Sequence, residues 1–135
     1  MGTDINDVYG KFRNKITDYD LLELPSLVEE EMLGDYLKSA VAKYNKFSGG
    51  DIHFDEESFD VDLTDDQIDI LATGMVYYWI SPKVYDTDKM HNIFNTKDFQ
   101  GFSPEKILNR MKEIRDQSYR DFRYDSIEES FLGGN

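Results

Sequence analysis

Five aspartates fall within thirteen residues in "FDVDLTDDQIDIL", residues 59–71, with no positive charge among them. Clustered carboxylates of this kind are the raw material of a calcium loop. Such a loop needs oxygen ligands at positions 1, 3 and 5, glycine at 6 and glutamate at 12. Placing Asp60, Asp62 and Thr64 at the first three ligand positions puts Asp65 at the glycine and Leu71 at the glutamate, so the register fails. The same residues describe a helix start. Thr64 can cap, Gln67 can reach back to it, and Leu63 and Ile68 occupy the two positions of a hydrophobic staple. Asp65 and Asp66 then complement the positive end of the helix dipole.

The remaining chemistry-bearing residues form no recognisable catalytic or metal-ligating pattern. His53 and His91 lie far apart, and neither has a second ligand at a spacing such as H-x₃-H. No G-x-S-x-G turn, phosphate-binding loop or G-x-G-x-x-G run occurs. Cysteine is absent, which removes disulfides, thiolate metal sites and cysteine nucleophiles and fits a reducing compartment. Neither an enzyme nor a cofactor is expected.

The elements that carry these residues are legible from periodicity. Ile5, Val8, Tyr9, Phe12 and Ile16 mark one helix face, with Thr3 as its expected cap. "TDYDLLELP" breaks the period and ends at Pro25. A second helix is expected from a Ser26–Glu29 capping box through Phe47, with Leu33, Tyr36, Leu37, Ala40, Val41 and Tyr44 inward and Gly49 beyond its end. The third is expected over Asp65–Ile80, with Ile68, Leu71, Ala72, Met75, Val76 and Trp79 in its stripe and Ser81-Pro82 closing it. Tyr77 lies off that stripe. "DTDKMHNIFNTKDF" predicts one or two helical turns with Met90, Ile93 and Phe94 inward. A last helix begins at Ser103-Pro104 and carries Ile107, Met111, Ile114 and Phe122. The expectation is an all-α bundle of four to five helices over 1–124, with an extended acidic arm or short hairpin at 48–63 and a flexible tail at 125–135.

Bulk composition narrows the function. The chain has 135 residues, enough for one core, and a net charge of −13. Proteins that grip DNA neutralise phosphates with Lys and Arg, so most of this surface would repel a duplex. Aromatic residues at 14% and hydrophobic residues at 39% are too many for a disordered acidic chain. No run reaches the length of a membrane span, and the N-terminus resembles neither an export signal nor a myristoylation site. Charge is uneven: residues 104–124 hold six basic and four acidic residues, whereas 1–103 hold nine and twenty-one. That asymmetry suits a docking surface on a partner or a neighbouring copy, and equally a solvated helix face with pairs such as Asp116–Arg120.

The order of four blocks, "YGKFRNKITDYDLLELP", "LGDYLKSAVAKYNKF", "DLTDDQIDILATGMVYYWISP" and "KDFQGFSPEKILNRMKEIRDQ", resembles small head–tail connector (neck or adaptor) proteins of tailed bacteriophages infecting Gram-positive bacteria. The resemblance covers about residues 8–124. It implies a structural virion protein at the head–tail interface, assembled in the host cytoplasm into a homo-oligomeric, twelvefold ring. The implied partners are the portal protein, neighbouring copies and a further neck or tail-completion protein, with DNA passing through and no membrane involved. The segments it points to are 104–132 and 51–63. On them, together with Tyr77, the interface candidates are Arg110, Arg115, Tyr119, Arg120, Phe122, Arg123, Tyr124, Phe131, Phe54 and Phe59. A small acidic regulatory protein, mimicking DNA to block a host nucleic-acid enzyme, is the alternative from a different class.

Overall fold

Among the described residues, the alternation of polar and apolar residues at helical spacing is realised in four α-helices. The computed structural model describes residues 2–19, 24–85 and 104–132, without the side chains of 24, 85, 104, 131 and 132. The helices are α1 (Ile5–Thr17), α2 (Leu33–Ser48), α3 (Asp65–Tyr85) and α4 (Pro104–Leu132). No regular strand is present among the described residues. The fold is an all-α bundle, as the periodicity predicts. The turns expected around Met90, Ile93 and Phe94 fall outside the described residues.

α3 is the central helix. It packs against α1, α2 and α4, and α2 also packs against α4. Its residues Ile70 to Val76 are all buried, as are Trp79 and Ile80, so it is apolar nearly all round. Phe12 of α1 meets Trp79 edge-on at 6.0 Å between ring centroids, and both rings are fully buried. Each such ring stabilises the fold by roughly 1.5–3 kcal/mol through burial. The start of α3 is the predicted capping box. Gln67 N–H donates to Thr64 Oγ1 (3.1 Å), and Thr64 N–H donates to Gln67 Oε1 (2.9 Å). Leu63 and Ile68 both pack against the core.

Several boundaries differ from the sequence expectation, each for a visible reason. α1 is capped by Asp4, whose carboxylate accepts from Asn6 N–H (2.8 Å). The Thr3 hydroxyl is engaged elsewhere, accepting from Leu63 N–H (2.8 Å). α2 begins at Leu33, not Ser26, after two 3₁₀ turns at Leu24–Leu27 and Glu30–Met32. The Leu27 carbonyl accepts from the indole N–H of Trp79 (3.3 Å), which draws the backbone here toward the core of the bundle. α3 continues through Pro82 to Tyr85. A proline in a helix removes one amide donor, here the one that would serve the Tyr78 carbonyl. The adjacent carbonyls accept side-chain donors, Ser81 Oγ on Tyr77 and Lys83 Nζ on Trp79. α4 runs past residue 124 to Leu132, where a flexible tail was expected, because Ser126 is wholly buried and Ile127 half-buried.

The acidic segment is neither a free arm nor a regular hairpin. Two isolated bridges, Phe54 with Phe59 and Asp4 with Ser58, fold it back on itself and onto the start of α1. Thr3 N–H donates to the Val61 carbonyl (3.1 Å) and Phe59 N–H donates to the Thr3 carbonyl (2.8 Å). The side chain of Asn45 on α2 clamps the other end, bonding both the N–H and the carbonyl of Ile52 at 2.9 Å. At the tip, Asp55 accepts from Glu57 and Ser58 N–H (2.8 and 2.9 Å), and these bonds hold its carboxyl below the ordinary range.

Candidate interaction surface

α3 and α4 pack tightly at Gly74. A Cβ added there would lie 2.8 and 2.9 Å from two ring carbons of Phe122 and 3.0 Å from the Cβ of Ala40 on α2. The glycine therefore lets three helices converge, and the Phe122 ring fills the junction, edge-on to Phe47 at 6.0 Å. This packing fixes the rotation of α4. It leaves Tyr119, Arg120, Arg123 and Tyr124 on the side away from the core, with Tyr124 66% exposed.

Aromatic rings continue across the helix pair. Tyr77 lies 4.9 Å from Tyr119 and 5.0 Å from Tyr78 between ring centroids. Burial raises the Tyr78 hydroxyl pKa first, with smaller contributions from Tyr77 and Tyr119. Tyr124 is raised mainly by its hydrogen bond to Glu128. The hydroxyls of Tyr78 and Tyr124 therefore stay neutral at physiological pH. Tyr119, Arg120, Arg123, Tyr124, Ile127 and Glu128 line a groove of about 540 Å³ along α4. Arg120 donates to Gln117 Oε1 (2.8 Å), and Arg123 sits 5.9 Å from the Phe47 ring. The surface thus combines two tyrosines and Ile127 with two guanidinium groups and the carboxylate of Glu128, an aromatic and mixed-charge strip.

The other anticipated contacts are distributed unevenly. Phe122 and Phe59 are 0% and 1% exposed, so both are core residues with no free face. Phe54 is half-buried against Phe59 at 5.5 Å and lines a second groove with Ile5, Tyr9, Val41 and Ile52. Arg110 stacks at 5.7 Å on Tyr19 and pairs with Glu113 (3.4 Å). Arg115 pairs with Asp116 (2.9 Å), so the expected Asp116–Arg120 pair gives way to neighbours closer in sequence. The side chain of Phe131 lies outside the described residues. Tyr77, Tyr119, Arg120, Arg123 and Tyr124 are thus the candidates that the fold brings together. Val61, 43% exposed between Asp60 and Asp62, is an exposed apolar residue that periodicity alone did not single out.

Five carboxylates gather where the start of α3 meets the end of α4. Asp66, Asp69, Asp125, Glu128 and Glu129 line a small cleft. Lys15 reaches Asp69 at 2.7 Å and Lys11 reaches it at 3.9 Å. Burial raises the Asp125 pKa, and Asp121, Glu128 and Asp69 push it further up, against the opposing pull of Lys15. Among the described residues, no three His, Asp or Glu side chains converge as a metal site. His53 pairs with Asp51 (2.8 Å) at the surface, and His91 lies outside the described residues. No described helix is long and apolar enough to cross a membrane. In comparisons with known proteins, the chain matches no family model, no curated protein and no solved structure.

Proposed function

We propose that this protein is a structural, ring-forming head–tail connector of a tailed bacteriophage, a neck adaptor that binds the portal and links the DNA-filled capsid to the tail. The observation that carries the reading is the order of the four sequence blocks. Of these, "LGDYLKSAVAKYNKF" coincides with α2, and "DLTDDQIDILATGMVYYWISP" spans the cap and nearly all of α3. An all-helical bundle with an aromatic strip on its last helix is compatible with such a part. The net charge of −13 also suits a ring whose lumen must let DNA slide without sticking. In this role the protein acts by contact and repulsion, in the virion neck, after assembly in the host cytoplasm.

The carboxylate cleft between α3 and α4 favours one rival, a DNA-mimicking inhibitor of a host nucleic-acid enzyme. Native mass measurement and negative-stain imaging with purified portal protein separate the two. Rings capping the portal support the adaptor. A monomer that ignores the portal and blocks a host nucleic-acid enzyme overturns it.

A further inference from the structure

The extended segment 52–56 has one satisfied edge and one open edge. In an extended chain the backbone groups of successive residues point to opposite sides. Here the odd positions face the 58–60 stretch. The His53 carbonyl accepts from Asp60 N–H (2.9 Å), His53 N–H donates to Asp60 Oδ1 (3.0 Å), and Asp55 N–H donates to the Ser58 carbonyl (3.0 Å). The even positions face the other way, toward α2. At Ile52 the Asn45 side chain takes both backbone groups, Nδ2 donating to the carbonyl and Oδ1 accepting from the N–H. Used in this way, the amide imitates one residue of a neighbouring strand. At the next even position, neither the N–H nor the carbonyl of Phe54 has a hydrogen bond among the described residues. The 58–61 stretch is bonded to Thr3 on its far side, so the opening lies at Phe54.

Beside that edge lies a groove of about 740 Å³, bounded by 52–56, α1 and α2. Its volume falls within the roughly 300–1,000 Å³ of ligand-binding clefts. Ile5, Val41 and Ile52 are its buried apolar walls, Phe54 is half-buried and Ala42 is exposed. At Gly34 the groove has room, since an added Cβ would meet only the Tyr9 hydroxyl, 3.8 Å away. A free main-chain donor and acceptor beside an apolar groove is the arrangement to which an extended peptide adds as a strand. An α-helix bonds its own backbone internally and has no central N–H or carbonyl to offer Phe54. The charged groups on the groove are Lys38 on α2 and Asp55 and Glu56 on the strand, with His53 paired to Asp51. Glu57, Asp60 and Asp62 extend the acidic side, and residues 51–62 contain no Lys or Arg. A second copy would bring a further −13 into this field, whereas a strand with basic residues is drawn to it.

We propose that the Phe54 edge binds an extended segment of another protein, apolar at alternate positions and basic between them. The segment adds as a strand beside 52–56, bonding the backbone of Phe54 and burying its apolar side chains against Ile5 and Val41. The site uses none of the residues of the α4 strip, and it does not depend on the adaptor reading.

NMR titration of the isotope-labelled full chain with the end-capped peptide Val-Lys-Val-Lys-Val-Lys-Val tests the site. Binding is expected with a Kd below about 1 mM, with amide shifts centred on Phe54 and slowed hydrogen exchange of its N–H. The same peptide with proline at its centre, and one with glutamate in place of each lysine, should each bind about tenfold more weakly. Two variants isolate the backbone bond. Phe54→Pro removes the donor, whereas Phe54→Ala keeps it and loses the same ring, so the proline variant should bind at least about threefold more weakly than the alanine one. Should Phe54→Pro not fold, Ala42→Trp, which fills the groove from an exposed position, carries the test: it should abolish binding with the thermal melt unchanged. Absence of shifts at about 1 mM peptide overturns the proposal. So does equal binding of the proline or glutamate peptide, equal binding by the two Phe54 variants, or undiminished binding by Ala42→Trp. Phe54 shifts that grow with protein concentration alone would mean that a second copy covers the edge, which also overturns it. Portal binding is read separately, and its failure leaves this site standing.

Discussion

Replacing Gly74 by alanine tests the packing that sets the orientation of α4, and the sign of the effect is the informative part. In an open helical position, glycine to alanine stabilises by roughly 0.8–1 kcal/mol, because alanine loses less backbone entropy. Gly10 in α1 is such a position, with nothing within 4 Å of an added Cβ. At Gly74 the new methyl would meet the Phe122 ring at 2.8 and 2.9 Å and Ala40 at 3.0 Å. That ring is fully buried and backed by Phe47, so it cannot swing away without opening the core. Overpacking of this kind costs about 1–3 kcal/mol, which outweighs the propensity gain. Gly74→Ala should therefore destabilise by about 1 kcal/mol while Gly10→Ala stabilises by up to about 1 kcal/mol. Urea unfolding followed by the fluorescence of Trp79, with thermal melts in parallel, reads both. A shift of about 3–5 °C per kcal/mol is expected for a chain of this size. Adding Phe122→Leu to Gly74→Ala should cost less than the two changes summed, since the smaller side chain vacates the contested space. If both glycine variants gain stability alike, the three-helix junction is not as tight as described and the placement of the α4 strip loses its basis.

Three further outcomes follow from the same geometry. Thr64→Ala removes the hydroxyl that receives Gln67 N–H and should cost about 1 kcal/mol in urea unfolding; an unchanged midpoint would mean that the box does not hold α3. The Ser126 hydroxyl is fully buried and has no hydrogen-bond partner among the described residues, so Ser126→Ala should be neutral or stabilising by up to about 1 kcal/mol, and a clear loss would reveal a hidden partner. Asp55 and Asp125 should titrate on opposite sides of the ordinary aspartate value of about 3.9 in an NMR pH series. Asp125, raised in the folded state, favours folding at acid pH, and that contribution is lost as pH rises through its folded pKa. Asp55, lowered, contributes above its unfolded pKa and loses that contribution as pH falls through its folded pKa. Asp125→Asn should accordingly raise the Tm at pH 7 and leave it unchanged near pH 3; a lower Tm at pH 7 would mean that the carboxylate is favourably held.

Local signals in the sequence carried the helices well where no distant residue competed for the same groups. The Thr64–Gln67 box, the α1 and α3 stripes and the left-handed Gly49 at φ 74° past α2 all depend on neighbours within a few positions. The misses involve partners far away in sequence. Thr3 was an apparent cap, but Leu63, sixty residues on, takes its hydroxyl. The Ser26–Glu29 box implied an earlier α2, but the Leu27 carbonyl answers to Trp79. Pro82 reads as a stop, yet α3 passes through it with Ser81 and Lys83 donating to adjacent carbonyls. The candidate surface divides in the same way. Tyr77 was marked as off the core stripe and does lie on the half-exposed side, against Tyr119. Phe122 was placed on the apolar stripe of the last helix and is core, so that stripe and not its candidacy as a contact holds, whereas Phe59 has no helical period around it and only the folded bundle shows what covers it.

The aspartates that first suggested a metal loop divide between two structural roles. Asp65 and Asp66 sit in the first turn of α3, where the helix dipole favours them. Asp60 and Asp62 flank an exposed valine on a segment pinned to α1. Electron cryomicroscopy of the assembled particle encoded with this gene tests the central claim most directly. The account predicts all-helical density for this chain repeated around the channel below the portal. Particles whose neck contains no copy of this chain would contradict it.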